Sequence, residues 1–323
     1  MRNPFLTLIT LLLLFSFSEC KKKDIHECII PAVVPFQPYS DPVWHPNGIL
    51  LGVNHTPLIG IGPNGVGPCI WYSYFSNPDS IGFYLMNEDG TGFRRLTDFT
   101  LSAPAWSPDG NWIAFSLGSN IYKMPFNGNT FDTTEIIQLT TTGGNFYPSW
   151  TANSDTIYYD SNNDSPQGTS FYSIWKMANN GAGKTRLTQS AGMGDTRQPF
   201  IGSDNRVYYV GYSSSQPEIF SMNKDGSNQK QLTFNGQNGN RDTPKFWQGN
   251  LFYADNGTLR VIQSNNTDIK LTIPCITYDI SASGEIVYSK MEYDITKYNK
   301  QIGTLWIMNP DGSNNHQLTF NNF

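Results

Sequence analysis

Charged residues and histidines are both scarce in this sequence. Asp, Glu, Lys and Arg make up 15% of its 323 residues, and 26 acidic residues outnumber 21 basic ones. Because a nucleic-acid-binding surface needs concentrated basic side chains, this balance predicts no nucleic-acid partner. The four histidines are scattered along the sequence, at His26, His45, His55 and His316. They therefore lack the clustering typical of a metal site. The sequence therefore predicts neither a metal nor another cofactor.

Motifs for nucleophilic and nucleotide chemistry are also missing. The nearest candidate for a Gly-x-Ser-x-Gly elbow, around Ser213, has Ser215 in place of its second glycine. Residues 183–185 read Gly-Lys-Thr, like the end of a phosphate-binding loop, but Ala178 replaces the glycine that the spacing requires. We therefore expect a protein that is not an enzyme.

Long apolar runs are absent except at the N-terminus. Residues 1–20 contain Arg2 and then an apolar stretch from Phe5 to Phe17, which is short for a membrane span and typical of an export signal. The end of this segment resembles a lipoprotein cleavage site, at which Cys20 would be acylated and become the first mature residue. A plain exported protein without the lipid is the alternative.

Cysteine is rare as well, with four in the chain. After Cys20 come Cys28, Cys69 and Cys275. Because exported proteins can form disulfides, a bridge from Cys28 to either of the other two would pin the N-terminal segment to the rest of the molecule. Three small buried thiols are the alternative.

Residues 21–40 have the composition of a connection rather than of a domain. Three lysines begin a solvated tether, and a proline-punctuated apolar stretch follows. This pattern predicts an extended strap against the rest of the molecule, since proline interrupts regular strands and helices. Residues 41–323 then form one repetitive segment.

A short repeat dominates residues 41–323. Leu-Thr pairs recur every 39 to 48 residues, at Leu96-Thr97, Leu139-Thr140, Leu187-Thr188, Leu232-Thr233, Leu271-Thr272 and Leu318-Thr319. In five copies an aromatic residue stands two positions before a methionine, and in three of these an Asp-Gly turn with positive φ is expected next. Each copy predicts four short strands, and sheets repeated at this period stack radially. We predict an all-β fold, a six-bladed β-propeller of four-stranded antiparallel blades.

The repeat also resembles a known family. Residues 104–115 read PAWSPDGNWIAF and residues 121–124 read IYKM. Together with the Asp-Gly and Leu-Thr pairs, this pattern is similar to the TolB-type propeller repeat, a WD40-like repeat of periplasmic and secreted bacterial proteins. The resemblance implies the propeller fold. It implies no single function, because the scaffold supports many binding surfaces and a few enzymes, metal-dependent lyases among them.

Polar and aromatic residues lie where the chain leads into the first strand of each copy. In a propeller these connections gather around one mouth of the central channel, where binding sites commonly lie. We expect a binding surface there, formed by Asp41, Asn145, Tyr147, Asp195, Arg197, Arg241, Asp242 and Asp279. Ordinary polar loop ends are the alternative. Insertions between second and third strands are expected at residues 55–80, 160–172 and 290–303.

These observations favour a non-catalytic lipoprotein of the bacterial cell envelope. We expect Cys20 to anchor it in the outer membrane, facing the periplasm or the cell surface, with no membrane contact except through the lipid. The propeller is expected to be a monomer that binds a protein or peptide partner or scaffolds an envelope complex. A glycan-binding or carbohydrate-active, lyase-type propeller is the alternative, because neutral polar and aromatic side chains also suit sugars.

Overall fold

The computed structural model describes residues 38–64, 71–165, 170–189, 194–213, 216–234, 241–272, 275–294 and 300–320. The predicted signal segment 1–20 with Cys20, and the tether and strap up to residue 37, lie outside them, as do Cys28 and Cys69. Cys275 lies inside them and is a buried free thiol. No helix in the described part of the chain has the length and apolar character needed to cross a bilayer.

The strands form six four-stranded antiparallel sheets arranged in a ring, as the repeat predicts. Each sheet takes its strands from one copy of the repeat and is called a blade here, numbered along the chain. Within the described ranges, helical structure is limited to the single 3-10 turns Pro78–Ser80 and Thr133–Glu135. The protein is thus a six-bladed β-propeller.

The strands of each blade are numbered first to fourth from the channel outward. Blades 1 to 3 comprise Tyr39–Trp44, Leu50–His55, Gly82–Asn87 and Arg94–Arg95; Ser102–Trp106, Trp112–Leu117, Asn120–Pro125 and Ile137–Gln138; and Asn145–Trp150, Thr156–Ser161, Ser173–Ala178 and Thr185–Arg186. Blades 4 to 6 comprise Thr196–Ile201, Arg206–Ser213, Gln216–Asn223 and Lys230–Gln231; Arg241–Trp247, Asn250–Asp255, Thr258–Ile262 and Asp268–Thr272; and Tyr278–Ile280, Ile286–Asp294, Lys300–Met308 and His316–Gln317. The first strand begins at Tyr39, two residues before the predicted start of the propeller at Asp41.

The blades pack face to face through side chains that alternate along each strand. Trp175 and Met177, an aromatic-x-Met pair of blade 3, lie on the same face and are buried against Ala114 and Ile121 of blade 2. This arrangement follows from the period of two residues in a strand. The recurring pair therefore marks the face of the third strand that contacts the preceding blade.

The Leu-Thr pairs have a specific hydrogen-bonding role. In five blades the threonine hydroxyl accepts a hydrogen bond from a backbone N–H of the third strand, at 2.8 to 3.1 Å. The threonines are Thr97, Thr140, Thr188, Thr233 and Thr319, and all are buried. Because an unpaired buried N–H is costly, the hydroxyl satisfies the third strand where the short fourth strand ends.

The Asp-Gly turns adopt the backbone that the sequence predicts. In the turns that begin at Asp89, Asp225 and Asp311, the following glycines have φ of +82°, +89° and +83°. In each turn the aspartate Oδ1 accepts a hydrogen bond from the backbone N–H two residues later, at 2.9 Å. The glycine relieves the left-handed strain and the carboxylate holds the turn, so these aspartates are structural.

Two of the predicted insertions have regular structure. The first contains a hairpin of strands Leu58–Asn64 and Trp71–Ser76. The segment 290–303, expected as an insertion, instead lengthens the two central strands of blade 6, where Lys290 pairs with Thr304 and Met291 with Gly303.

The ring closes between blades 1 and 6. Trp44, Leu51 and Val53 of blade 1 pack against Val287 and Leu305 of blade 6. The backbone N–H of Trp44 also donates to Asp279 Oδ2 at 2.8 Å. Among the described residues both blades use only their own strands.

Candidate functional site

The six first strands surround a central channel with a cavity volume of about 540 Å³. Its wall differs along its length. Trp44, Trp106 and Trp150 line it towards the ends of their strands, and all three are buried. Nearer the beginnings of the strands, where the predicted binding residues lie, the wall is polar. The channel therefore has one polar mouth above an apolar wall.

A bulge recurs at the polar mouth in five of the six first strands. At each bulge a non-glycine residue has φ between 47° and 54°, and a proline follows it. The five residues, called the mouth ring here, are Asp41, Ala103, Tyr147, Gln198 and Thr243. All of them and their prolines line the channel. A positive φ is uncommon outside glycine, and for a β-branched threonine it is an outlier.

The mouth ring is tied together by hydrogen bonds between blades. The backbone N–H of Thr243 donates to Gln198 Oε1 at 2.7 Å, and the Tyr278 hydroxyl donates to the Thr243 carbonyl at 2.6 Å. Burial raises the pKa of Tyr147; a hydrogen bond with the Gln198 side chain and the charge of Arg197 oppose this, and the charges of Asp160 and Asp41 add to it. These links connect Tyr147, Gln198 and Thr243 and hold the Gln198 side chain in place before any ligand arrives.

Two predicted residues at the mouth are carboxylates in confined surroundings. Asp41 Oδ2 accepts hydrogen bonds from Asn54 Nδ2 at 3.0 Å and from Ser40 Oγ at 3.1 Å, and burial raises its pKa. Asp242 accepts from Thr243 Oγ1 at 3.0 Å. Burial, reinforced by the charge of Asp255, raises the pKa of Asp242 to about 6.

The third carboxylate of the channel, Asp279, is paired. Its Oδ1 lies 3.0 Å from Lys245 Nζ, in addition to the hydrogen bond from the Trp44 backbone. The same ammonium lies 5.0 Å from the ring centroid of Phe200. Lys245 is thus held between a carboxylate and an aromatic face, a favourable setting for a cation.

Two other predicted residues lie beside the channel and do not line it. Asn145 is buried, and its Nδ2 donates to the carbonyls of Ser119, Thr142 and Gly143, which holds the connection between blades 2 and 3. Asp195 Oδ1 accepts a hydrogen bond from the Tyr172 backbone at 2.7 Å. Both side chains therefore shape loops.

The two predicted arginines are occupied by contacts within the protein. Arg197 stacks on Tyr172, 4.0 Å from its ring centroid, with its Nε 3.8 Å from the buried Asp160. Arg241 forms an ion pair with Glu218, and its own side chain is 11% exposed. Neither arginine is among the residues that line the channel.

Sequence reasoning missed several channel residues. Ala103, Gln198, Thr243 and Lys245 line the mouth but were not predicted as site residues. The signal was present, since a proline directly follows each residue of the mouth ring. A residue before proline is expected in extended backbone, so the positive φ could not be read from the pair alone.

The mouth face also carries exposed apolar side chains. Strands alternate in direction, so the second-to-third and the fourth-to-first connections open on the face where the first strands begin. Six large apolar residues on these connections, or at strand ends on the same face, are 43% to 66% exposed, namely Ile59, Phe75, Leu117, Phe171, Phe234 and Phe320. Apolar side chains grouped on one face are typical of an interaction surface.

The described histidines serve packing or lie at the surface. His45 packs edge-on against Trp106 at 4.7 Å, and the buried His55 stacks on Tyr39 at 4.5 Å. Burial lowers the pKa of His55, and its Nδ1 lies 2.8 Å from the Pro38 carbonyl. His316 is exposed on a fourth strand. Within the part of the chain that the structure covers, no three His, Cys, Asp or Glu residues are grouped to hold a metal.

Comparison with known proteins identifies the fold. No family model and no curated protein sequence matches the chain. Among solved structures, TolB from Acinetobacter baumannii has a TM-score of 0.55 at 19% identity, with 73% of this chain and 60% of that chain covered, so the match spans less than two thirds of TolB. An oligogalacturonate lyase in complex with manganese has a TM-score of 0.52 at 11% identity, covering 88% and 77%.

A third structure is covered almost completely. The β-propeller domain of the Trilobed protease from Pyrococcus furiosus has a TM-score of 0.51 at 12% identity, with 90% of this chain and 98% of that chain covered. That domain is described as having an open velcro topology. At these identities the likeness concerns the fold alone: the chain is a six-bladed β-propeller whose fold is similar to that of TolB.

Proposed function

We propose that this chain is a non-catalytic binding propeller that recognises a protein partner at its mouth ring. The observation that carries the proposal is the recurrence of a non-glycine residue with positive φ at one place in five blades. Such backbone costs about 1–3 kcal/mol per residue and clusters at binding sites. Glycine would adopt this φ without strain, so side chains at these positions favour recognition over a purely structural bulge.

The mouth face supports a partner that is a protein. Its exposed apolar residues surround a polar centre, and a protein interface commonly combines apolar contacts with a few fixed polar groups. The similarity of the fold to that of TolB is consistent with binding of a protein partner in the cell envelope.

The mouth ring can be tested by affinity capture from an envelope extract. The bait would be wild-type protein, the double variant Tyr147→Ala with Gln198→Ala, and the control Glu88→Ala, which changes an exposed residue on the turn between the third and fourth strands of blade 1. We expect a captured protein that the control retains and the double variant loses. Equal capture by all three folded proteins, checked by thermal unfolding, would contradict the proposal.

We also propose that residues 1–20 direct export and that an acylated Cys20 anchors the protein in the outer membrane, followed by the tether and strap of residues 21–40 and the propeller of residues 41–323. The apolar stretch before Cys20 supports this. Cys20→Ser is expected to prevent metabolic labelling with palmitate and to move the protein to the soluble fraction. Unchanged labelling would exclude acylation at Cys20.

A glycan-binding or lyase-type propeller is the second candidate. The fold likeness to an oligogalacturonate lyase is the observation that favours it. A glycan array, together with an assay for unsaturated products from oligogalacturonate in the presence of manganese, would separate the two candidates. Glycan binding that requires Tyr147, or lyase activity of the purified protein, would favour the second.

A further inference from the structure

The charges at the mouth are distributed unevenly around the ring. Blades 5, 6 and 1, which are neighbours, contribute the carboxylates of Asp242, Asp279 and Asp41 to the channel wall. We call this side the acidic arc. Blades 2 to 4 contribute no charged side chain to the wall within the described residues, and they place Tyr147 and Phe200 there instead. We call those two residues the aromatic arc.

Basic side chains do not balance the acidic arc. Lys245 is the one cation among the described channel-lining residues, and it pairs with Asp279. The partners shown for Asp41 are the neutral donors Asn54 and Ser40, and no ion pair joins it to a described cation. The channel wall therefore has an excess of negative charge at a mouth of restricted volume.

The channel already shows how an ammonium is held there. Lys245 Nζ lies 3.0 Å from the carboxylate of Asp279 and 5.0 Å from the Phe200 ring centroid, where the acidic arc meets the aromatic arc. On the other side of the aromatic arc, Tyr147 lines the same channel as Asp41, with the mouth-ring residue Ala103 of blade 2 between them in ring order. Asp41 and Tyr147 thus supply a second carboxylate and a second aromatic ring at the mouth, while Lys245, the one cation among the described channel-lining residues, is already paired with Asp279.

We infer that the channel mouth binds a lysine or arginine side chain of a partner polypeptide, seated between Asp41 and Tyr147. This inference rests on the proposed protein-binding function and gives the partner its chemistry. The carboxylate supplies the charge, the ring supplies a cation–π face, and the other residues of the mouth ring contact the flanking peptide. The mouth ring is then a set of specificity-determining positions, one from each of five blades.

The experiment uses a displayed library of random dodecapeptides, because the partner is unidentified. Peptides selected on the wild-type protein are synthesised, and their affinities are measured by fluorescence anisotropy. We expect enrichment of lysine or arginine, and a loss of about tenfold or more in affinity for Asp41→Asn, the range of a charged hydrogen bond. Replacing the basic residue of the peptide by norleucine is expected to cause a similar loss. Glu88→Gln, which removes an exposed charge outside the channel, is expected to have no effect.

A matched pair at Ala103 keeps the test independent of any instability in Asp41→Asn. Ala103→Glu and Ala103→Lys place side chains of similar length at the same mouth position, with the same backbone strain and opposite charge. We expect the basic peptide to bind Ala103→Lys at least about tenfold more weakly than Ala103→Glu, because charges in a confined site interact strongly.

The possible outcomes distinguish failure of this inference from failure of the proposed protein-binding function. Peptides that lose binding with Tyr147→Ala but show no basic enrichment, or that bind the two Ala103 variants equally, would overturn the inference and leave mouth binding in place. Two results together would overturn both the inference and the proposed function. They are peptide binding that is unchanged by Tyr147→Ala and capture from extracts that is unchanged by the mouth-ring substitutions.

Discussion

At the scale of single residues, Asp160 is a carboxylate in unfavourable surroundings. It is fully buried, and its Oδ2 accepts a hydrogen bond from the Gln198 backbone at 3.0 Å, whereas its Oδ1 has no partner. Arg197 lies 3.8 Å away, beyond good hydrogen-bond distance. Burial outweighs these contacts and raises the pKa of Asp160 to about 7.

This raised pKa predicts a pH-dependent stability. Because the folded protein holds the proton to a higher pH than the unfolded chain, Asp160 stabilises the fold at low pH. That contribution is lost as the pH rises from about 4 to about 7. Asp160→Asn removes the titration and keeps an acceptor for the Gln198 N–H. We expect the variant to be more stable than wild type at pH 8 by about 1–3 kcal/mol, measured by urea unfolding at pH 5, 6.5 and 8.

The control for this prediction is Glu88→Gln, an exposed change that should leave the pH profile of wild type intact. If Asp160→Asn and wild type gave parallel profiles across this range, Asp160 would be ionised at every pH tested. The prediction would then be wrong.

The same residues show what the sequence could not reveal about the site. The positions of Arg197 and Tyr147 near the channel mouth follow from the repeat, since both precede a first-strand proline or its bulge. Which side chains line the channel depends on the bulge, because an extra residue interrupts the alternation of faces along the strand. Gln198 lines the channel and its neighbour Arg197 does not.

At the scale of the blade, the Leu-Thr pairs allow the fold to be predicted from sequence, and their hydrogen bonds also stabilise it. Thr140 is buried, and its hydroxyl accepts from the Ile121 N–H at 2.9 Å and donates to Asn120 Oδ1 at 3.1 Å. Sequence periodicity located the pair and the hairpin turns. The reason for threonine was not visible, because it depends on a third-strand N–H that lies 19 residues away.

Thr140→Val tests this role, since valine has nearly the shape of threonine without the hydroxyl. We expect a loss of about 1–3 kcal/mol in the free energy of unfolding, the cost of leaving a buried N–H unpaired. Thr140→Ser keeps the acceptor and should lose less. Both are measured by urea denaturation. A valine variant as stable as the serine variant would show that the hydroxyl contributes nothing here.

At the scale of the whole molecule, the propeller depends on closing the ring between its first and last blades. The six copies, their order and their phase could be predicted from sequence, because each copy is a local pattern of about 45 residues. The closure of the ring could not be predicted from sequence, because it joins residues more than 200 positions apart. Asp279 is central to it, because its two oxygens hold the Trp44 backbone of blade 1 and the Lys245 ammonium of blade 5.

Substitution of Asp279 is therefore expected to weaken the ring at one interface. Asp279→Ala leaves the Trp44 N–H and Lys245 without their partner, and we expect a loss of about 2–4 kcal/mol in stability. Asp279→Asn retains an acceptor for Trp44 and should lose less. Hydrogen exchange locates the effect, because faster exchange is expected in blades 1 and 6 while blade 3 stays protected. Uniformly faster exchange in all blades would instead mean that the ring opens only by global unfolding, and that no single contact secures its closure.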